Sequence, residues 1–232
     1  MIEFRLPPRV RLAACLLSAA TLLPASSAFA QTCLGNATFD VHPVRIGGSV
    51  SSGNDVTDLG LNVNFGQRQG AFGGVGVGLS QFDDDVSSED ATTITGSLGY
   101  QVPLGTTPRR GGPQVCPIGV VGYTIGPDVG NIDTRVLTLQ GGFAIGAPVT
   151  LTPAVRLSPF GALSLVHQRL SISDEDDNEF DDSESGGLLN IGAGLIFNDR
   201  FTIRPSIDIP LGFDGSDTGF TLSLGLSFGG PR

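Results

Sequence analysis

Few side chains in this sequence can make or break bonds. It holds two histidines, His42 and His167, and three cysteines, of which only Cys33 and Cys116 lie beyond residue 30. His167, with Ser171 and Ser173 close by and Asp83, Asp84 and Asp85 on a separate stretch, supplies the parts of a nucleophile and base pair. No motif fixes their geometry, so the expectation is a protein that is not an enzyme, with a hydrolase or lipid-modifying enzyme using His167 as the last alternative. Two cysteines and two distant histidines lack the ligand spacing of a zinc site. Gly74, Gly76 and Gly78 alternate along the chain and open no helix, which excludes a phosphate cradle. The run from Ser173 to Ser185 is rich in Asp and Glu but lacks the spacing and turn glycine of an EF-hand. It is expected to be a solvated loop in which Asp174, Asp176, Asp177, Glu179 and Asp181 hold divalent cations weakly. No cofactor and no firm metal site are expected.

The elements that carry these residues are strands. In Gly219–Phe228 the apolar residues fall on every even number, and Thr, Ser and Gly on every odd one. A period of two gives one greasy face and one small polar face. The alternation returns about ten times from residue 43 onward, over about 43–51, 57–66, 71–81, 91–103, 114–124, 135–146, 152–169, 187–197, 201–210 and 219–228. The expected fold is all-β: a closed antiparallel transmembrane β-barrel of about ten strands, or eight if the first and fifth do not span. Each strand is roughly ten residues long, enough to cross a bilayer at a tilt near 45°. The fifth alternates poorly, because Ile118, Val120 and Val121 do not sort onto one face. Pro117, Pro153, Pro159, Pro205 and Pro210 are awkward for central strands, since each removes a ladder donor.

Residues 1–30 read as a targeting segment: Arg5, Arg9 and Arg11, then the short apolar run Leu12–Leu23, then Ala28-Phe29-Ala30 with cleavage expected after Ala30. Residues 31–42 follow as a periplasmic segment, and 43–232 as the barrel. Beyond residue 30 there are 10 Arg, no Lys and 22 Asp plus Glu, a balance of −12. Such a chain repels phosphates, so no nucleic-acid partner is expected. An exported chain with two remaining cysteines suggests a Cys33–Cys116 disulfide. That bond would lay residues 31–42 across the periplasmic mouth as a strap.

Alternate connections of an antiparallel barrel share one end. Assigned this way, 19 of those 22 acids, Asp58 among them, fall at one end, and Arg68, Arg109, Arg110, Arg200 and Arg232 at the other. Phe65, Tyr100, Phe143, Phe197, Phe201 and Phe228 also lie toward the Arg-bearing end, as an interfacial girdle would. A secreted β-sandwich, the alternative architecture, has no reason for either asymmetry. The even-odd split sends Arg45, Arg156, Arg204, Asp208 and Gln140 into the lumen as a polar network, with Asn62, Asn64 and Asn190. There Arg204 or Arg156 is expected to pair with Asp208, because a buried guanidinium without a partner is costly.

With its export segment, alternating strands and aromatic-ended last strand Phe220–Phe228, the chain resembles the small bacterial outer-membrane β-barrel families of the OmpA/OmpX type. The typical pattern ends on the aromatic residue, whereas here Gly229-Gly230-Pro231-Arg232 follows it. The resemblance implies an integral place in the bacterial outer membrane, with its lipid and its assembly machinery as partners. It carries no active-site motif. The functions it leaves are a non-enzymatic envelope-integrity or surface-interaction barrel, or a narrow porin-like channel.

Overall fold

A computed structural model describes residues 32–36, 39, 42–53, 56–67, 70–82, 90–104, 112–126, 132–174, 179–213 and 217–229. Residues 1–30, the acidic stretch 83–89, and Arg68, Arg109, Arg110, Asp176 and Asp177 fall outside them.

Ten strands make the wall: β1 Val44–Gly53, β2 Val56–Gly66, β3 Ala71–Phe82, β4 Ala91–Tyr100, β5 Gln114–Ile125, β6 Ile132–Gly146, β7 Val155–Asp174, β8 Glu179–Phe197, β9 Phe201–Leu211 and β10 Gly219–Phe228. Each pairs antiparallel with the next, and β1 closes on β10 from Val44↔Phe228 to Ser52↔Phe220. Two short strands, Val102–Pro103 and Val149–Thr152, pair only with β5 and β7 and lie outside the ring. Closure leaves no unpaired edge, the condition for crossing a bilayer with strands. The fold is therefore a closed antiparallel transmembrane β-barrel of ten strands.

The pleat sorts the side chains. On β10, Thr221 and Ser223 are buried inward, while Phe220, Leu224, Leu226 and Phe228 lie on the outer wall. The same holds round the ring, and the outward residues reach 71% exposure at Leu98 and 77% at Leu165. A water-soluble wall would not carry a contiguous apolar belt of this extent. Phe65 and Phe228 flank Val44 at one level on adjacent strands, and Phe197 and Phe201 meet at 6.1 Å across a turn. The girdle is not confined to that end, since Tyr123 and Phe220 are exposed on the outer wall toward the acidic end.

The longest acidic segment is not a loop over most of its length. β7 and β8 continue as a two-stranded hairpin, paired from Ser185↔His167 up to Glu179↔Ser173. Beyond Leu165 the outward residues of β7 are His167, Arg169, Ser171 and Ser173, so this stem stands clear of the apolar belt. Polar cross-strand contacts stabilise it: Arg169 Nη2 donates to Asp181 Oδ2 at 2.7 Å, and Ser171 Oγ to Asp181 Oδ1 at 2.6 Å. Acidic content signalled exposure, and exposure does not preclude a strand.

Candidate functional site

The lumen is the only enclosed space a barrel offers, and its two halves differ. Toward the Arg-bearing end part of the wall presents an apolar cluster inward: Phe72 of β3, Cys116, Ile118 and Val120 of β5, Ala144 of β6, and Phe160 and Ala162 of β7. They pack on Cys33, Leu34 and Phe39. This explains the poor alternation of β5. Its inward face meets a piece of the chain, not water, so both of its faces are apolar.

That piece is the segment before β1. Thr32–Leu34 forms a single 3-10 turn, entirely buried, and does not lie across the mouth as a strap. It enters the barrel. Cys33 is bonded to Cys116 of β5, with 6.2 Å between the Cα atoms. Ser158 of β7 donates to the Thr32 carbonyl at 3.0 Å, and Arg204 Nη1 of β9 to the Leu34 carbonyl at 3.2 Å. Gly35 turns with φ +73° and sits against Gly194 of β8, where any Cβ would run into the Gly35 carbonyl. Phe39 lies on Gly66 at the end of β2, in the space a side chain there would take. The His42 ring is hydrogen-bonded to the Gly229 carbonyl just after β10. Among the described residues this segment thus touches β2, β5, β7, β8 and β9, which spans the lumen from wall to wall.

Of the expected lumen residues, Arg45, Arg204, Asp208 and Gln140 are inward and buried, at 2%, 1%, 0% and 8% exposure. They are spread over β1, β9 and β6. The Arg45 guanidinium lies over Gly225 of β10, where only a residue without Cβ leaves it room. Arg204 also donates to Ser223 Oγ at 3.2 Å, and its guanidinium lies 5.6 Å from the centre of the Phe160 ring. Asp208 accepts from Asn190 Nδ2 at 2.6 Å and from Thr221 Oγ1 at 3.0 Å. Asn64 donates to Asn62 at 2.6 Å.

Arg156 departs from expectation. It lies at the barrel end and pairs with Asp199 at 2.5 Å, not with Asp208. Asn198 and Asp199 both have positive φ, at 49° and 58°, in the three-residue turn between β8 and β9. That turn brings the Asp199 carboxylate to the neighbouring β7, while Asp208 lies further up β9.

Sequence reasoning missed Asp58. Assigned to the connection between the first two strands, it sits inside β2, inward and 3% exposed. Its even number matches Asn62 and Asn64 on the lumen face, and that parity was the signal available. Phe72 and Phe160 lie inside strands read from the sequence, and their even numbers likewise put them on the lumen face, where both are buried. His167 is on the outer wall of the stem, and its Nδ1 is 2.8 Å from Ser185 Oγ, its directly opposed partner, not from Ser171 or Ser173. Of the expected cation ligands only the Asp181 side chain is described, engaged as above with Arg169 and Ser171.

No protein-family model matches the chain, and no curated protein matches it. Solved structures similar to it include the N-terminal β-barrel domain of OprF from Pseudomonas aeruginosa, at 13% identity and TM-score 0.39 over 80% of this chain and 96% of that one. The KdgM porin is similar at 8% identity and TM-score 0.39, over 80% and 99%. Ail, the attachment invasion locus protein of Yersinia pestis, is similar at 11% identity and TM-score 0.33, over 79% and 93%. On its own geometry, ten closed antiparallel strands with an apolar wall outside and a buried polar and apolar filling inside, the chain has the fold of a transmembrane β-barrel.

Proposed function

We propose that this protein is a closed, non-conducting barrel of the bacterial outer membrane, serving envelope integrity or surface interaction, and that it is not an enzyme. The observation that carries this reading is the filled lumen: Thr32–Asn36 and Phe39 reach from wall to wall, fixed to β5 by a disulfide and to β9 by Arg204. Ions crossing the barrel would have to displace a buried apolar cluster, which a hydrated ion does not do. The partners are then the membrane lipid around the apolar belt and the assembly machinery that inserts the strands. The presented element is the β7–β8 stem with its acidic tip, where divalent cations would bind weakly. The His167 and Ser185 pair is a cross-strand hydrogen bond on an exposed ladder of the stem.

Planar-bilayer recording of the purified, refolded protein tests the reading. No unitary current is expected up to the voltage at which the bilayer itself breaks. Stepwise currents that scale with protein concentration would favour the narrow channel instead.

A further inference from the structure

Two carboxylates lie in the lumen beyond the plug, and their surroundings differ. Asp208 has a donor on each oxygen, Asn190 on Oδ1 and Thr221 on Oδ2. Asp58, on the next-but-two strand round the ring, is 3% exposed. Ser51 donates to its Oδ2 at a long 3.4 Å, and Ser80 is its other hydroxyl neighbour. Its Oδ1 accepts no hydrogen bond among the described residues. The lumen arginines are engaged elsewhere: Arg204 donates to the Leu34 carbonyl and to Ser223 Oγ. Arg45 is paired in register with Asn64, six residues further down β2 toward the opposite end. A buried carboxylate half satisfied in this way is unstable as an isolated anion.

A small cavity of about 10 Å³ lies beside it. Its polar lining is the Asp58 carboxylate, the Ser49, Ser51 and Thr95 hydroxyls and the Asn62 amide, and Gly76 and Gly78 leave the space open. The volume holds one water-sized particle. The carboxylate and the three hydroxyls are hard oxygens, as is Asn62 Oδ1, which also accepts from Asn64, and such a set suits hydrated alkali and alkaline-earth ions and not zinc or copper. There is one negative charge. A monovalent ion neutralises that charge at the site itself, and a divalent ion would leave the site net positive.

We infer that Asp58, with Ser49, Ser51, Asn62 and Thr95, forms a buried site for one small monovalent cation of the sodium class. The ion occupies the cavity, takes Asp58 Oδ1 as its charged ligand and draws its remaining ligands from the hydroxyl and amide oxygens. It ties β1, β2 and β4 together across the glycines of β3.

The test uses the full refolded barrel in detergent at pH 8, with NaCl exchanged for choline chloride at constant ionic strength. Sodium is expected to raise the midpoint of the heat-induced gel shift saturably, by about 2–4 °C, and choline is not. The sodium-23 NMR line should broaden with wild-type protein and sharpen on adding excess lithium. Asp58→Asn keeps the shape and removes the charge, so it should fold, lose the sodium-dependent rise and lose the line broadening. Wild-type protein that melts alike in sodium and choline, with no broadening, would overturn the site. An Asp58→Asn barrel that keeps the sodium effect would place the ion elsewhere and overturn it equally.

Discussion

Leu224 and Ser223 are neighbours on β10 that face different surroundings: Leu224 points outward at 46% exposure, and Ser223 is buried inward against Arg204. Leu224 is the middle outward residue of its strand, so Leu224→Arg places a guanidinium near the centre of the apolar belt. The cost there is about 2–4 kcal/mol. Ser183→Arg is the matched control, because Ser183 points outward too, but from the stem beyond the belt. Denaturant unfolding of the two variants in lipid vesicles should show the loss for Leu224→Arg and none for Ser183→Arg. Equal losses would mean that no lipid surrounds the wall. At this scale the alternation was legible wherever a residue faces lipid, because lipid accepts only apolar side chains. It was illegible where the lumen is apolar. Ile118, Val120 and Phe160 break the pattern, and nothing in their own neighbourhood says that another segment covers them.

Among the elements, the β7–β8 stem shows why charge composition misleads about secondary structure. Eight acids crowd residues 174–184, yet strand pairing continues to Glu179↔Ser173 because Asp181 meets partners on the opposing strand. The Ser171 hydroxyl first, and the Arg169 guanidinium after it, hold the Asp181 carboxyl below its usual range. A carboxylate with a lowered folded-state pKa contributes its stabilisation above the unfolded value, about 3.9, and loses it as pH falls through the folded value. The stem should therefore keep its register through mildly acid pH and loosen only below that window. Carbon-13 NMR of the Asp181 side chain should titrate with a midpoint below about 3.9, and Ser171→Ala should raise that midpoint. Because the pair is fully exposed, the barrel's own stability should not follow it. A midpoint at the ordinary value in both proteins would mean that the stem is not paired at this position in solution.

For the molecule as a whole, ten strands and their order could be read from periodicity, and the pairing of the two cysteines beyond residue 30 from their number. The path of residues 32–42 could not, because the contacts that draw it inside are made by residues far along the chain: Ser158, Gly194 and Arg204. The wall and the plug are separable in principle. The ring closes through β1 and β10 without help from the segment before β1, while the disulfide joins that segment to β5 across 83 residues of sequence. The chain-entropy model assigns a loop of that size about 4.5 kcal/mol, as an upper expectation. Replacing both cysteines, Cys33→Ala with Cys116→Ala, should leave a barrel that still runs as a compact band unboiled and shifts on heating. Its unfolding free energy should fall by up to that amount. The plug would remain held by Arg204, Ser158 and the apolar cluster, so the bilayer should pass brief, infrequent currents where the wild type passes none. Mass spectrometry of non-reduced, digested wild-type protein should find the two cysteine peptides linked. Free thiols in oxidised protein would remove the tether from this account. A double-alanine chain that never forms the compact band would show instead that the segment before β1 is needed to build the wall and not only to fill it.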